Sequence, residues 1–118
     1  MINLLITGGA GFIGSNLVNY WNKKNPKDNI VILDKLTYAG NKNNISKFES
    51  NPNVDFIKGD ICDAKLVHKI LRQYNISHIA NLAAESHVDR SINSPEIFIK
   101  TNIFGTYNLL NQFKIYWE

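Results

Sequence analysis

The apolar positions along the chain change period in a regular way. "INLLIT" at 2–7 is a short apolar run, the pattern of a strand buried on both faces. In "IGSNLVNYWNKK" at 13–24 the spacing becomes helical, and Ile13, Leu17, Val18 and Trp21 are expected on one side. "NPKDN" at 25–29 reads as a turn, and "IVILD" at 30–34 as a second buried strand. "NKNNISKFES" at 41–50 is polar and predicts only a weak helix or a loop. "VDFIKGD" at 54–60 alternates as a third strand does. Leu66, Val67, Ile70 and Leu71 mark one face of a helix over 62–74, with Asp63 as its N-cap. "SHIANLAA" at 77–84 reads as a fourth strand. A long helix is predicted over 94–117, with Ser94 as N-cap and Pro95 at the first helical position.

Strand and helix therefore alternate four times. That order predicts an α/β fold with a parallel sheet, helices on its faces and right-handed crossovers. The 118 residues are one domain at most, and 44% hydrophobic content is ordinary for a globular core. A doubly wound dinucleotide fold needs about six strands. Four are visible, so the sheet is expected to be incomplete, and the chain to be truncated or a piece of a longer protein.

"TGGAGFIGSNL" at 7–17 lies between the first strand and the first helix. Gly8 would permit the tight reversal, Gly11 the close approach of backbone to a pyrophosphate, and Gly14 the packing of helix on sheet. The N–H groups near Phe12 and Ile13 would face the phosphates from the positive end of the helix dipole. The spacing is G-x-x-G-x-x-G, and a purely structural βα turn is the alternative. Asp34 ends the second strand about 20 residues past the last glycine, where a carboxylate meets the adenosine ribose. It would accept from the 2′-OH and repel a 2′-phosphate, favouring NAD over NADP, with Lys35 partly offsetting the repulsion. A residue that merely caps the strand end is the other reading of Asp34.

Together with this turn, "LDKLTYAGN", "FIKGDICD", "NLAAESHVDRSI" and "TNIFGTYNLL" follow in an order and spacing that resembles the extended short-chain dehydrogenase/reductases, the NAD-dependent epimerase/dehydratase family with a Rossmann-type doubly wound sheet. "LDKLTYAGN" with "AAESHVDRS" is similar, more specifically, to the dTDP-glucose 4,6-dehydratase branch. The resemblance covers almost the whole chain. It implies NAD as cofactor, with Phe12 and Ile13 at its pyrophosphate through backbone. It implies Asp34, Lys35, Leu36 and Thr37 around the adenosine ribose, and Asp60 and Ile61 flanking the adenine. Leu82, Ala83, Ala84, Glu85 and Ser86 would line the path to the nicotinamide, Thr101 would reach the cofactor from the long helix, and Ser86 would also touch the nucleotide-sugar. All but Thr101 fall at or just beyond predicted strand ends, where open α/β sheets bind ligands.

Plainer roles stay open at this point. Asp60 could cap the helix that begins near Asp63, and Ala83 and Ala84 could be small only for packing. Thr101 could be an ordinary helix-face residue, and Ser86, His87 and Asp89 an ordinary polar loop. His87 is given no catalytic role, and His68 and His78 read as surface and strand-start residues. No Cys/His spacing suggests a metal.

The chemistry that the resemblance implies converts dTDP-glucose to its 4-keto-6-deoxy derivative. It needs a Tyr-x-x-x-Lys pair and an Asp-Glu pair after a Thr. Neither is found in a suitable place. Tyr20 does have Lys24 four residues on, but on the first helix, away from the strand carboxyl ends. No catalytic residue is assigned, and the 118 residues are expected to be the N-terminal portion of an NAD-binding Rossmann domain, inactive alone, without the nucleotide-sugar domain. A UDP-sugar epimerase, another nucleotide-sugar dehydratase and a non-catalytic NAD-binding module are the alternatives.

The remaining features narrow the partners. A formal charge of +3 is spread over scattered Lys, without a basic stripe for nucleic acid. Cys62 is the single cysteine, so no internal disulfide forms, which fits the cytoplasm. No apolar run approaches the length of a membrane span, and the N-terminus lacks the basic start of a signal peptide. Ile97, Phe98, Phe104, Leu109, Phe113 and Trp117 give the long helix more apolar surface than one sheet face needs. In the family that helix helps pair two subunits, so a homodimer through 94–117 is expected.

Overall fold

The computed structural model describes residues 1–36, 42–83 and 95–118. Strand β1 (Asn3–Thr7) leads through helix α1 (Phe12–Lys24) to β2 (Asn29–Asp34). A 3-10 helix (Lys42–Phe48) precedes β3 (Val54–Lys58), and α2 (Ala64–Gln73) precedes β4 (His78–Asn81). The last helical stretch comprises α3 (Pro95–Ile99), a π-helical turn (Lys100–Gly105) and α4 (Thr106–Trp117). All four strands are parallel, in the order β3-β2-β1-β4. Among the described residues this is the 3-2-1-4 part of the doubly wound order, four strands of about six.

Alternation along the two central strands divides the core. Leu4, Ile6, Ile30 and Ile32 face one side, where Val18 of α1 and Ile45 and Phe48 of the 3-10 helix cover them. Leu5, Val31 and Leu33 face the other, under Val67, Ile70 and Leu71 of α2 and Leu109 of α4. Central strands buried on both faces explain the unbroken apolar runs in the sequence. Asp63 caps α2 through its carboxylate, which accepts from the Leu66 N–H at 3.1 Å.

Three expectations are corrected. The second, third and fourth strands and the α2 helix keep their places, but β3 ends at Lys58 and β4 at Asn81; after β3 the chain turns over residues 60–63, where the Asp63 N–H donates to the Asp60 carbonyl at 3.0 Å. Ile13 does not join the buried side of α1; it is 69% exposed. The helix is closest to the sheet at Gly14 and Val18, which turns position 13 outward. The long helix is not uniformly α: its Lys100–Gly105 turn is π-helical. Gly105 is buried there, and a Cβ on it would overlap the Ile61 side chain. Ser94 lies outside the described residues.

Removing the cap and removing core volume should separate in urea denaturation. Asp63→Ala is expected to cost about 1 kcal/mol, and Ile32→Ala, at a fully buried position, about 2 to 5 kcal/mol.

Candidate functional site: a glycine turn at the sheet's carboxyl edge

The helices that follow β1 and β4, α1 and α4, pack on opposite faces of the sheet, so the crevice between the carboxyl ends of these strands is the topological switch point, where such sheets bind ligands. The glycine turn occupies it. Gly8 has φ +72°, a conformation L side chains rarely adopt, and a Cβ there would lie 2.7 Å from the backbone of Leu82 and Ala83. A Cβ on Gly14 would overlap the Gly8 carbonyl, so α1 sits directly on the turn. Gly11 is different: its backbone, at φ −76° and ψ 176°, is open to any residue. Nothing in its conformation requires glycine.

Gly11 caps α1 without a side-chain hydrogen bond, and the first turn holds no acidic residue. The Gly11 N–H donates to the Gly8 carbonyl at 3.1 Å and the Ser15 N–H to the Gly11 carbonyl at 2.9 Å. Among the described residues none accepts from the N–H groups of Phe12, Ile13 or Gly14. Three donors at the positive end of a 13-residue helix suit an anion such as a pyrophosphate. The Phe12 and Ile13 side chains point away from the core, Phe12 being 80% exposed.

Asp34 is buried and holds the turn in place. One oxygen accepts from the Ala10 N–H at 2.9 Å, the other from the Leu36 N–H at 2.7 Å. The second bond closes a turn that carries Leu36 at φ 59°. Asp34 is thus a strand-end clamp, and each oxygen retains lone-pair capacity for a ribose hydroxyl. Asn44, on the 3-10 helix, donates to the Ala10 carbonyl at 2.8 Å, so Ala10 is fixed from both sides.

Asp60 does not cap α2, which is the work of Asp63. It forms its own turn instead, accepting from the Cys62 N–H at 2.9 Å and pairing with Lys35 at 3.4 Å. Burial pushes the Asp60 carboxyl up, but the Cys62 N–H and the Lys35 ammonium outweigh it and hold it below its ordinary value. Burial, with the Asp60 charge beside it, pushes the Cys62 thiol up, which disfavours its thiolate. The Ile61 side chain is buried beneath Gly105, and its carbonyl accepts from Asn108 at 2.7 Å. Its backbone N–H is what it can offer a ligand.

Leu82 and Ala83 lie against Gly8. The buried Thr7 hydroxyl places them: it donates to the Asn81 side chain and accepts from the Leu82 N–H at 3.1 Å. Asn81 reaches on to Thr106 at 3.3 Å. Thr101 is half-buried in the π turn, next to Lys100, whose carbonyl lies 3.5 Å from the Cys62 sulfur. The structure thus gathers Gly8, Gly11, Phe12, Ile13, Gly14, Asp34, Lys35, Leu36, Asp60, Ile61, Leu82 and Ala83 on one edge. Thr37, Ala84, Glu85 and Ser86, with His87 and Asp89, lie outside the described residues. Thr7, Asn44, Asn81 and Asn108 support the site and were missed. Two of them, Thr7 and Asn81, had a signal: a polar residue closing an apolar strand.

The family model described as GDP-mannose 4,6 dehydratase matches residues 5–118. The chain belongs to that family. A dTDP-glucose 4,6-dehydratase of Haemophilus influenzae is 47% identical over all 118 residues, which are 35% of its length. The crystal structure of the Bacillus anthracis dTDP-glucose 4,6-dehydratase in complex with NAD superposes with a TM-score of 0.88 at 38% identity, over 98% of this chain and 34% of that one. The Thermus thermophilus UDP-glucose 4-epimerase complex with NAD gives 0.84 at 29% identity, over 98% and 35%. The chain therefore spans about a third of the length of the curated relatives it matches. As a member of the GDP-mannose 4,6 dehydratase family it has the parallel, Rossmann-type sheet of these neighbours. No helix of the described residues is long and apolar enough to cross a membrane.

The ion pair has a pH consequence. A carboxyl held low in the folded chain adds stability above the ordinary carboxylate range and loses it as pH falls through the folded value. Lys35→Met should raise the Asp60 titration, followed by its side-chain carboxyl carbon in NMR, and should shrink the acid loss of stability.

Proposed function

We propose that residues 1–118 are the N-terminal portion of the NAD-binding Rossmann domain of a dTDP-glucose 4,6-dehydratase, the enzyme that makes dTDP-4-keto-6-deoxyglucose in deoxysugar biosynthesis. The observation that carries this reading is the 47% identity with such an enzyme along the whole chain. The UDP-glucose 4-epimerase at 29% identity shares the fold at greater distance, which makes an epimerase the second reading.

In this reading the pyrophosphate lies on the Phe12 and Ile13 N–H groups, admitted by Gly8, Gly11 and Gly14. Asp34, Lys35, Leu36 and Thr37 take the ribose, and Asp60 and Ile61 the adenine. Leu82, Ala83, Ala84, Glu85 and Ser86 lead to the nicotinamide, Thr101 approaches from the helix, and Ser86 also meets the nucleotide-sugar. NAD, when bound, supplies a reversible hydride acceptor. The chain's own residues bind and orient; none transfers a proton. Two tyrosines have Lys four residues on: Tyr20, which stands exposed on α1 and away from the edge, and Tyr38, which lies outside the described residues.

The family model is described for GDP-mannose while the relatives' names carry dTDP-glucose. The relatives' names, at high identity over the chain, favour dTDP-glucose as the substrate of the whole enzyme. Neither nucleic acid nor a membrane is a partner in this reading, and the single Cys62 fits the cytoplasm. The exposed face formed by Ile103, Phe104, Tyr107, Leu110 and Trp117 supports a homodimer through the 95–117 helical stretch.

Two measurements test this. Calorimetry on the purified 118-residue chain should detect NAD binding that Gly14→Ala removes, while incubation with dTDP-glucose and NAD should yield no 4-keto-6-deoxy sugar. Absence of binding at millimolar NAD sinks the reading, and turnover sinks the assignment of no catalytic residue. In sedimentation equilibrium the chain should exceed its 13.4 kDa monomer mass, and Tyr107→Glu with Leu110→Glu should return it to monomer; a monomeric parent overturns the dimer.

A further inference from the structure

Lys35 and Asp60 leave neighbouring strands at the same edge. Lys35 follows Asp34, the last residue of β2, and Asp60 comes two residues after Lys58, the last of β3. The Gly59 N–H donates to the Asp34 carbonyl at 3.0 Å, which ties the two exits together. Asp60 is aimed before it meets Lys35: its Oδ1 accepts from the Cys62 N–H at 2.9 Å, and its Oδ2 lies 3.4 Å from the Lys35 ammonium. Lys35 is 55% exposed and could swing elsewhere if that carboxylate lost its charge. Asp34 has no such freedom, because both its oxygens are held by backbone N–H groups.

We propose that Asp60 is a specificity-determining residue, selecting NAD over NADP by holding Lys35 in an ion pair and so withholding its ammonium from a 2′-phosphate. The proposal rests on the NAD-binding reading above. A 2′-phosphate would meet the fixed charge of Asp34, and a cation beside it is what a site for the phosphorylated ribose supplies. Lys35 stands in that position in the chain but is already neutralised. Selection is therefore shared: Asp34 repels, and Asp60 removes the compensation.

Asp60→Asn keeps an acceptor for the Cys62 N–H and removes the charge. In calorimetry on the 118-residue chain, the ratio of NADP to NAD dissociation constants should fall about three- to tenfold, the scale of one partly exposed charge pair. The gain should shrink with added salt. Lys35→Met placed in the Asp60→Asn background should abolish it, and should have a smaller effect on the ratio in the parent background. The ratio is the readout because Asp60 also faces the adenine, and loss of that contact weakens both dinucleotides alike. An unchanged ratio in Asp60→Asn, with NAD still bound by the parent, overturns this proposal alone. An equal effect of Lys35→Met in both backgrounds also overturns it. A parent that binds no NAD overturns the underlying reading and this proposal with it.

Discussion

The carbonyl of Gly8 lies where a side chain at position 14 would have to begin. That contact of backbone on backbone fixes α1 against the end of β1, and the rest of the edge is built around it. The reversal at Gly8 is left-handed and is closed by the Gly11 N–H on the Gly8 carbonyl at 3.1 Å, while the Gly8 N–H holds to β2 through the Leu33 carbonyl at 2.8 Å. Because no Cβ intervenes at either position, the first N–H groups of α1 arrive at the sheet edge itself. The same absence lets Leu82 and Ala83, at the end of β4, lie against the turn. The switch point of the sheet is thus lined by main chain, and main chain is what a phosphate can approach most closely.

Such closeness leaves polar backbone groups that must be satisfied, and polar side chains at the edge do it. Ala10 is held at its N–H by Asp34 and at its carbonyl by Asn44. Thr7 ties β1 to Asn81, and Asn81 passes the connection to Thr106. Each is a polar residue placed where an apolar strand or helix meets the edge, and the two buried ones, Thr7 and Asp34, have the partners that burial demands. Asp34 shows that two readings of one carboxylate need not compete. Clamping the turn fixes the carboxylate in the position from which it can meet a ribose.

The central strands were legible because they are buried on both faces, so composition alone marks them, β3 by its alternation, and the helices between the strands forced parallel pairing. The glycine turn was legible because Gly8 and Gly14 each answer to a separate steric demand. What the pattern missed depends on register. Thr7 and Asn81 face each other only once β1 pairs with β4, and those strands are about 70 residues apart in the chain. The outward turn of Ile13 escaped a helical-wheel argument because Gly14, which carries no hydrophobic signal, is the residue nearest the sheet. The π turn escaped it too, since its companion feature is the seating of Gly105 on Ile61, a contact between distant segments.

Charge along the edge is sorted in a way that follows from these positions. The α1 end presents N–H donors, the positive pole of the helix, with no acidic side chain in its first turn. The β2 and β3 ends present two carboxylates, Asp34 fixed by backbone and Asp60 balanced by Lys35. A molecule lying across this edge is favoured when its anionic part rests at α1 and its uncharged, hydroxyl-bearing part rests at β2. Reversal would set phosphates against carboxylates and leave hydroxyls at a helix terminus that prefers negative charge. For the proposed dinucleotide, orientation on this edge would be set by the electrostatics of main chain and two acids, before any side chain beyond the edge contributes.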